Sequence, residues 1–401
     1  MDPLLAFLAA IILVSLVIPK LGPFVSLVVS AILFGLLAGM GQELTGYVAT
    51  GLGRIFSSLA IVVFSGAVLA EYLRRTGAID RIVADLLGLT NKSLIVAGAA
   101  GYLISLPVMC SITAYMILEP VVSSLGRQTE GGGKRTLFMT AACSVISFNL
   151  IYPSPVAVSL TSTLNVTSYD LLMRGFPISL LLFLLTYLLM QRLPAEQATI
   201  AEGLPPKFSR AKAWIPLALP MALILLGNLQ EETKILGNPS LALLLGALLC
   251  LALAREKAQE IIHTASRRSG VILLDLCGAG AFGYVVAQSN LGREIYSLGQ
   301  PLPLLVLPFL VSAILQLAQG SRVVTVVVAA QILSGYPLDG LTLALLISAG
   351  AFMFSYISDP YFWLIKDTTG ANMGEMVKGY TLPLSLLGLA TFGAAAVYSV
   401  L

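Results

Sequence analysis

Residues 3–19 and 379–401 each run without a single charged side chain, and apolar stretches of similar length recur between them. Runs of this kind read as membrane-crossing helices, because about 20 helical residues span the hydrocarbon core of a bilayer. Among the 401 residues, 57% are hydrophobic and 11% charged, whereas soluble domains carry about 25% charged residues. A soluble globular fold is therefore excluded. The chain reads as an all-α polytopic membrane protein with little left over for a soluble domain. Candidate spans fall at 3–19, 24–41, 55–73, 93–106, 172–191, 212–227, 239–254, 270–288, 301–317 and 378–400. Broken or hairpin-like stretches cover 107–125, 136–169, 321–357 and 359–376. Met1-Asp2-Pro3 places no basic region ahead of the first apolar run, so that run is expected to be retained as a span.

Charge orients this arrangement. Lys and Arg gather at Arg74, Arg75 and Arg81, at Arg127, Lys134 and Arg135, and at Arg192, Lys207, Arg210 and Lys212. A further group is Arg255, Lys257, Arg267 and Arg268. The positive-inside rule makes these loops cytoplasmic. Loops 42–52 and 228–238 carry few basic residues, so both termini are expected outside, in a multi-pass protein of the cell (inner) membrane. The polar, proline-bearing segment 192–211 then acts as a cytoplasmic linker between halves 1–191 and 212–401. Three weak matches recur in the same order in the two halves: Ser65-Gly66-Ala67 with Gly278-Ala279-Gly280, Ser144 to Ser147 with Ser355 to Ser358, and Arg174 to Leu180 with Lys378 to Leu386. Together with the charge pattern they predict two inverted-topology repeats, an arrangement that lets a bundle alternate access to a central site.

Such a site is expected where helices break, since interrupted backbone at membrane depth must be buried in protein or line a cavity. Four stretches mix Pro or Gly with small polar residues inside apolar surroundings, two in each half: 106–113, 147–155, 319–325 and 358–363. Half-helix N-termini exposed at such breaks can hold an anion, while hydroxyls and carbonyls hold a cation or the hydroxyls of a substrate. The candidate substrate-binding residues are Ser111, Thr113, Asn149, Ser154, Gly320, Ser321, Arg322, Thr325 and Asp359. The candidates for carrying a coupling ion are Asp275, Asp359 and Glu119.

The run Ser358-Asp359-Pro360-Tyr361-Phe362-Trp363-Leu364-Ile365-Lys366-Asp367, followed by Gly374-Glu375-Met376-Val377-Lys378, resembles the C-terminal motif of the gluconate permease family within the ion transporter superfamily. Leu150 to Pro155 stand at that family's proline-rich motif, and Gly320-Ser321 at its Gly-Ser pair. The resemblance implies a proton symporter for gluconate and related small hydroxy-acid anions. It also implies a homodimer with an elevator-like division into scaffold and transport domain and with paired re-entrant hairpins, the scaffold being formed by 3–41 and 212–254. The sequence departs from the pattern at Ser111, where the family has an acidic residue, and at Ser154, where it has a histidine. It departs again at Arg322, where a small residue is usual, and at Gln316, often basic. These departures put the substrate and the coupling ion in question, with sodium as the other candidate ion.

Each of these residues also admits a plainer role. Arg322 can contact substrate or neutralise Asp359 as a structural pair, and the absence of charge from Val323 to Leu338 places it deep, where ionisable residues are functional by default. Asp275 is equally readable as proton carrier or as a loosely buried residue. Glu119 reads as reaching the interface, and His263, the only histidine, as a solvated loop residue. Ser and Thr are common packing residues between membrane helices and gain weight here only by clustering. The cysteines at 110, 143, 250 and 277 show no CxxC spacing and read as free thiols. No cofactor, metal or nucleic-acid partner is expected, and with no HExxH or GxSxG no enzyme. A channel would favour polar rings along a pore, which these spans lack. Within transporters the alternatives to a proton-coupled carboxylate importer are a sodium-coupled carboxylate symporter, a cation/proton exchanger and an oxyanion efflux carrier.

Overall fold

The computed structural model describes residues 3–90, 92–128, 133–194, 208–227, 235–289, 291–299, 302–356 and 358–399. All regular elements among them are helical. The first half comprises α1 (Pro3–Leu37), α2 (Leu44–Thr76), α3 (Ala78–Leu89), α4 (Ser93–Val108), α5 (Ser111–Gln128), α6 (Lys134–Leu150), α7 (Pro155–Leu164) and α8 (Ser168–Gln191). The second comprises α9 (Arg210–Gly227), α10 (Pro239–Leu253), α11 (Ala258–Ala287), α12 (Leu291–Gly299), α13 (Val306–Gln319) and α14 (Arg322–Ile332). It continues with α15 (Gly340–Ala351), α16 (Pro360–Thr369), α17 (Met373–Met376) and α18 (Leu382–Tyr398). A π-helical turn, Val377–Thr381, joins the last two. Six stretches among the described residues are long and apolar enough to cross a membrane: Gly41–Thr76, Lys134–Leu164, Ser168–Gln191, Arg210–Gly227, Arg255–Ala287 and Met373–Tyr398.

The breaks follow from local chemistry. Within α1, Gly22 stands at φ 79° and ψ 167° immediately before Pro23, a residue pair that ends helical geometry. α4 stops where Met109 turns left-handed at φ 56°, two residues after Pro107. α13 stops at Gly320, φ 70°. α7 and α16 each begin with proline at the first turn, behind the N-caps Ser154 and Asp359, where a missing N–H costs nothing.

Packing turns these segments into one bundle. α2 and α11 lie side by side through Gly51 and Gly280: a Cβ on Gly51 would sit 2.5 Å from the Gly280 carbonyl oxygen, and one on Gly280 would sit 2.6 Å from that of Gly51. Only hydrogen at both positions permits the approach, the usual basis of close helix crossings in membranes. At one end of this pair the buried Glu71 carboxylate accepts from Arg74 and Arg75 and lies 3.5 Å from Arg268. α4 packs on α5 and on α6, and α13 packs on α14 and on α15. The order long helix, short helix, hairpin, broken helix, long helix thus occurs at α2–α8 and again at α11–α18.

Three expectations need correction. Residues 93–106 and 301–317, read as separate spans, are the first arms of the hairpins α4–α5 and α13–α14; an apolar run has the same hydropathy whether it crosses a bilayer or turns back within a bundle. The span at 270–288 begins at Ala258, because nothing between Ala258 and Ser269 stops a helix. His263 accordingly sits exposed on α11 rather than in a loop. Most of the linker 192–211 and of the loop 228–238 lies outside the described residues.

Candidate functional site

Four helix starts meet at one cavity of about 270 Å³: α5 contributes Ser111, α7 Pro155, α14 Arg322 and α16 Pro360. Pro23 and Leu27 of α1 and Ile272, Asp275 and Leu276 of α11 close its other side. Each helix N-terminus carries about half a positive charge and first-turn N–H groups without intrahelical partners, while α4 and α13 end at the same cavity, at Met109 and Gly320, and bring the opposite partial charge of their C-termini to it. The four starts are not equivalent. Ser154 Oγ accepts from the Ala157 N–H at 3.1 Å and caps α7. Asp359 Oδ1 accepts from the Tyr361 N–H at 2.9 Å and caps α16. At α14 the N-cap Ser321 makes no side-chain capping bond.

Arg322, the first residue of α14, is 5% exposed. Its Nη2 donates to Asp359 Oδ2 at 3.2 Å, to the Tyr380 hydroxyl at 3.1 Å and to Ser355 Oγ. Tyr380 in turn donates to Asp359 Oδ2 at 3.3 Å. A buried charge of this kind persists only when paired and hydrogen-bonded, and here one guanidinium nitrogen carries the whole pairing while Nε has no partner. Gly320 brings this hairpin tip against the break before α16. A Cβ there would lie 1.9 Å from the Ser358 carbonyl oxygen, and φ is +70°, so both space and conformation require glycine.

Of the residues expected at the site, Ser111, Gly320, Ser321, Arg322, Asp359 and Asp275 line the cavity. Asp275 also accepts from the Phe24 N–H at 3.2 Å, satisfying the first donor after the break in α1. The other expected residues lie off the cavity, on bonds within the bundle. Asn149 donates to the Ser348 carbonyl at 2.8 Å, linking α6 to α15. Thr325 donates to Gln316 Oε1 at 3.0 Å. Ser154 is spent on its cap, and Thr113 faces a small adjoining void with Ala67 and Arg268. Glu119 sits half-buried on α5, two turns past the cavity-lining Ser111. Arg322 lines the cavity and pairs with Asp359.

Sequence reasoning missed Tyr380, Ser355, Gln319 and Ser358. The first two bind Arg322 from 58 and 33 residues away. Gln319 and Ser358 line the cavity beside residues that were singled out, and their position next to the Gly-Ser turn and next to Asp359 was the available signal.

Residues 2–401 match the family described as GntP family permease. The chain belongs to that family. The permease is 25% identical to the low-affinity gluconate transporter of Escherichia coli (strain K12), over 94% of this chain and 92% of that protein. It is 26% identical to the Gnt-II system L-idonate transporter of the same strain, over 98% of each. It is 24% identical to the D-serine transporter DsdX of Escherichia coli O6:H1, over 93% of each. Among solved structures, the YdaH transporter of Alcanivorax borkumensis superposes with a TM-score of 0.63 at 16% identity, covering 96% of this chain and 98% of that one. This likeness concerns the fold alone, a polytopic helical bundle.

Proposed function

We propose that the permease is a secondary transporter that imports a small hydroxy-carboxylate anion, a gluconate-like sugar acid or a related organic acid, by proton symport with alternating access. The observation that carries this reading is the uncapped start of α14, opening beside the buried Arg322 into a cavity where three other helices also begin. A carboxylate placed there accepts from first-turn N–H groups and completes the cap. Arg322 supplies a permanent charge and its remaining donors, while Asp359 and Tyr380 hold the guanidinium in place by Nη2. Asp359 also balances Arg322 when no substrate is bound. Of the substrates named for the relatives, gluconate and L-idonate carry a hydroxyl on the carbon next to the carboxylate, while D-serine carries its amine there and its hydroxyl one carbon further.

Asp359 is already committed to Arg322, so Asp275 is the better proton carrier in this reading: it faces the same cavity from α11 and ends at the break in α1. Residues 1–191 and 212–401 form the inverted repeats, a division supported by the recurring element order. α1, α9 and α10 act as the scaffold of a homodimer against which the rest moves. In proteoliposomes holding the purified permease, gluconate uptake is expected to rise with an imposed inside-alkaline gradient and to be indifferent to sodium. Asp275→Asn is expected to keep gluconate binding but lose pH-driven accumulation. Uptake that collapses without sodium and ignores the pH gradient would move the reading to a sodium symporter.

A further inference from the structure

Gln319 closes α13 one residue before the Gly320 turn; it is 5% exposed and lines the cavity. Neither its Oε1 nor its Nε2 has a hydrogen-bond partner among the described residues. Ser358, across the Gly320 contact on the segment leading into α16, lines the same cavity with a buried hydroxyl that is also unpartnered. Native proteins pair nearly all such atoms because leaving them unpaired is costly. The buried amides Asn149 and Gln316 are each half satisfied, Asn149 bonding Ser348 and Gln316 accepting from Thr325, and Gln331 has an unpartnered Oε1 away from this cavity. Gln319 stands apart in having both ends free inside a cavity.

We propose that Gln319 and Ser358 form a subsite for a hydroxyl on the carbon next to the substrate carboxylate, an inference that rests on the hydroxy-acid reading above. The geometry points to that carbon because Gln319 precedes the uncapped α14 start by only Gly320 and Ser321. A carboxylate seated on the α14 N–H groups therefore brings its nearest substituent to Gln319 and, over the Gly320 contact, to Ser358. A hydroxyl both donates and accepts, and the amide offers Oε1 to its hydrogen and Nε2 to its oxygen, with Ser358 as second partner. A carboxylate lacking that hydroxyl leaves these groups dry and unpaired. Sites built to bond a hydroxyl discriminate strongly against ligands without one.

The test compares D-gluconate with 2-deoxy-D-gluconate, by binding to the purified full chain and by uptake in proteoliposomes, for wild type, Gln319→Leu and Ser358→Ala. Wild type is expected to favour gluconate by at least about tenfold. In each variant gluconate is expected to weaken by about that factor while the deoxy acid changes little, so the preference collapses. Removing orphaned buried polar atoms is also expected to leave the ligand-free melting temperature of Gln319→Leu equal or higher, which a structural role for the amide would not allow. Variants that keep the wild-type preference, or that weaken both ligands equally with a lowered ligand-free melting temperature, would overturn the subsite alone. A wild type that binds no hydroxy acid removes the reading itself, and the subsite with it, before any variant is compared.

Discussion

Arg322 concentrates the chemistry of this permease in one side chain. Its Nη2 is held by Asp359, Tyr380 and Ser355, and its Nε has no partner among the described residues. Lysine at this position keeps the charge but cannot hold three acceptors and still address a ligand, because an ammonium lacks the planar, delocalised donor set. Arg322→Lys is therefore expected to reduce gluconate uptake at least about tenfold, roughly one hydrogen bond to a charged group, with normal membrane insertion and a near-normal melting temperature. Arg322→Ala is a different experiment. It strands the Asp359 carboxylate in the interior, and breaking a buried pair in this way costs about 3–5 kcal/mol, so loss of folded protein is expected as well as loss of transport. Yield and thermal melting in detergent separate the two; wild-type uptake by Arg322→Lys would remove Arg322 from the substrate site.

Helices α13 to α16 show how a break is made and then used. Gly320 turns the hairpin, and its missing side chain lets the tip touch the Ser358 carbonyl, which fixes where α14 and α16 begin. A left-handed backbone costs other residues about 1–2 kcal/mol, and here a methyl group would also collide with a backbone oxygen at 1.9 Å. Gly320→Ala is expected to abolish uptake and lower the melting temperature, whereas alanine at Gly393, where nothing lies within 4 Å of the added carbon, is expected to leave both unchanged. Equal effects at the two positions would mean that the tip is not held as described. The first half builds its breaks from the same parts with milder chemistry: Ser111 stands where α14 has Arg322, and Ser154 caps α7 as Asp359 caps α16. The fixed charges at the helix starts therefore come from the second half, so the cavity is electrically lopsided although the element order repeats.

At the scale of the molecule, the two halves are expected to superpose after rotation about an axis in the membrane plane, with the segment 192–211 inside and both termini outside. Cys143, Cys250 and Cys277 are buried and Cys110 is partly buried, so single cysteines introduced on a cysteine-free background report topology cleanly. A cysteine at Thr199 is expected to react with membrane-impermeant thiol reagents only from the cytoplasmic face, and one at Thr50 only from the outer face. Labelling of both from one face would overturn the inversion and, with it, the alternating-access scheme built on two opposed repeats.

The membrane class, the helical content and the positions of the four breaks were all legible in the order of residues. Apolar runs must be helical in lipid, and proline or glycine amid small polar residues interrupts a helix wherever it falls. The Arg322–Asp359 pair was legible too, since two buried charges of opposite sign in matched breaks need each other. What required the folded chain was the assignment of arms to hairpins, because Leu94 to Leu106 and Leu307 to Gln319 are as apolar as crossing helices. It also decided which polar residues face the cavity. Asn149, Thr325 and Ser154 carry the same chemistry as Gln319 and Ser358, yet the first three are satisfied in part or wholly within the bundle and the last two are not. Hydrogen-bonding capacity belongs to a side chain and can be read from its name, but whether a neighbour has already consumed it depends on how the chain packs: the Asn149 partner Ser348 lies 199 residues away, and the Thr325 partner Gln316 is reached only because the hairpin folds back, and only the tertiary structure does that.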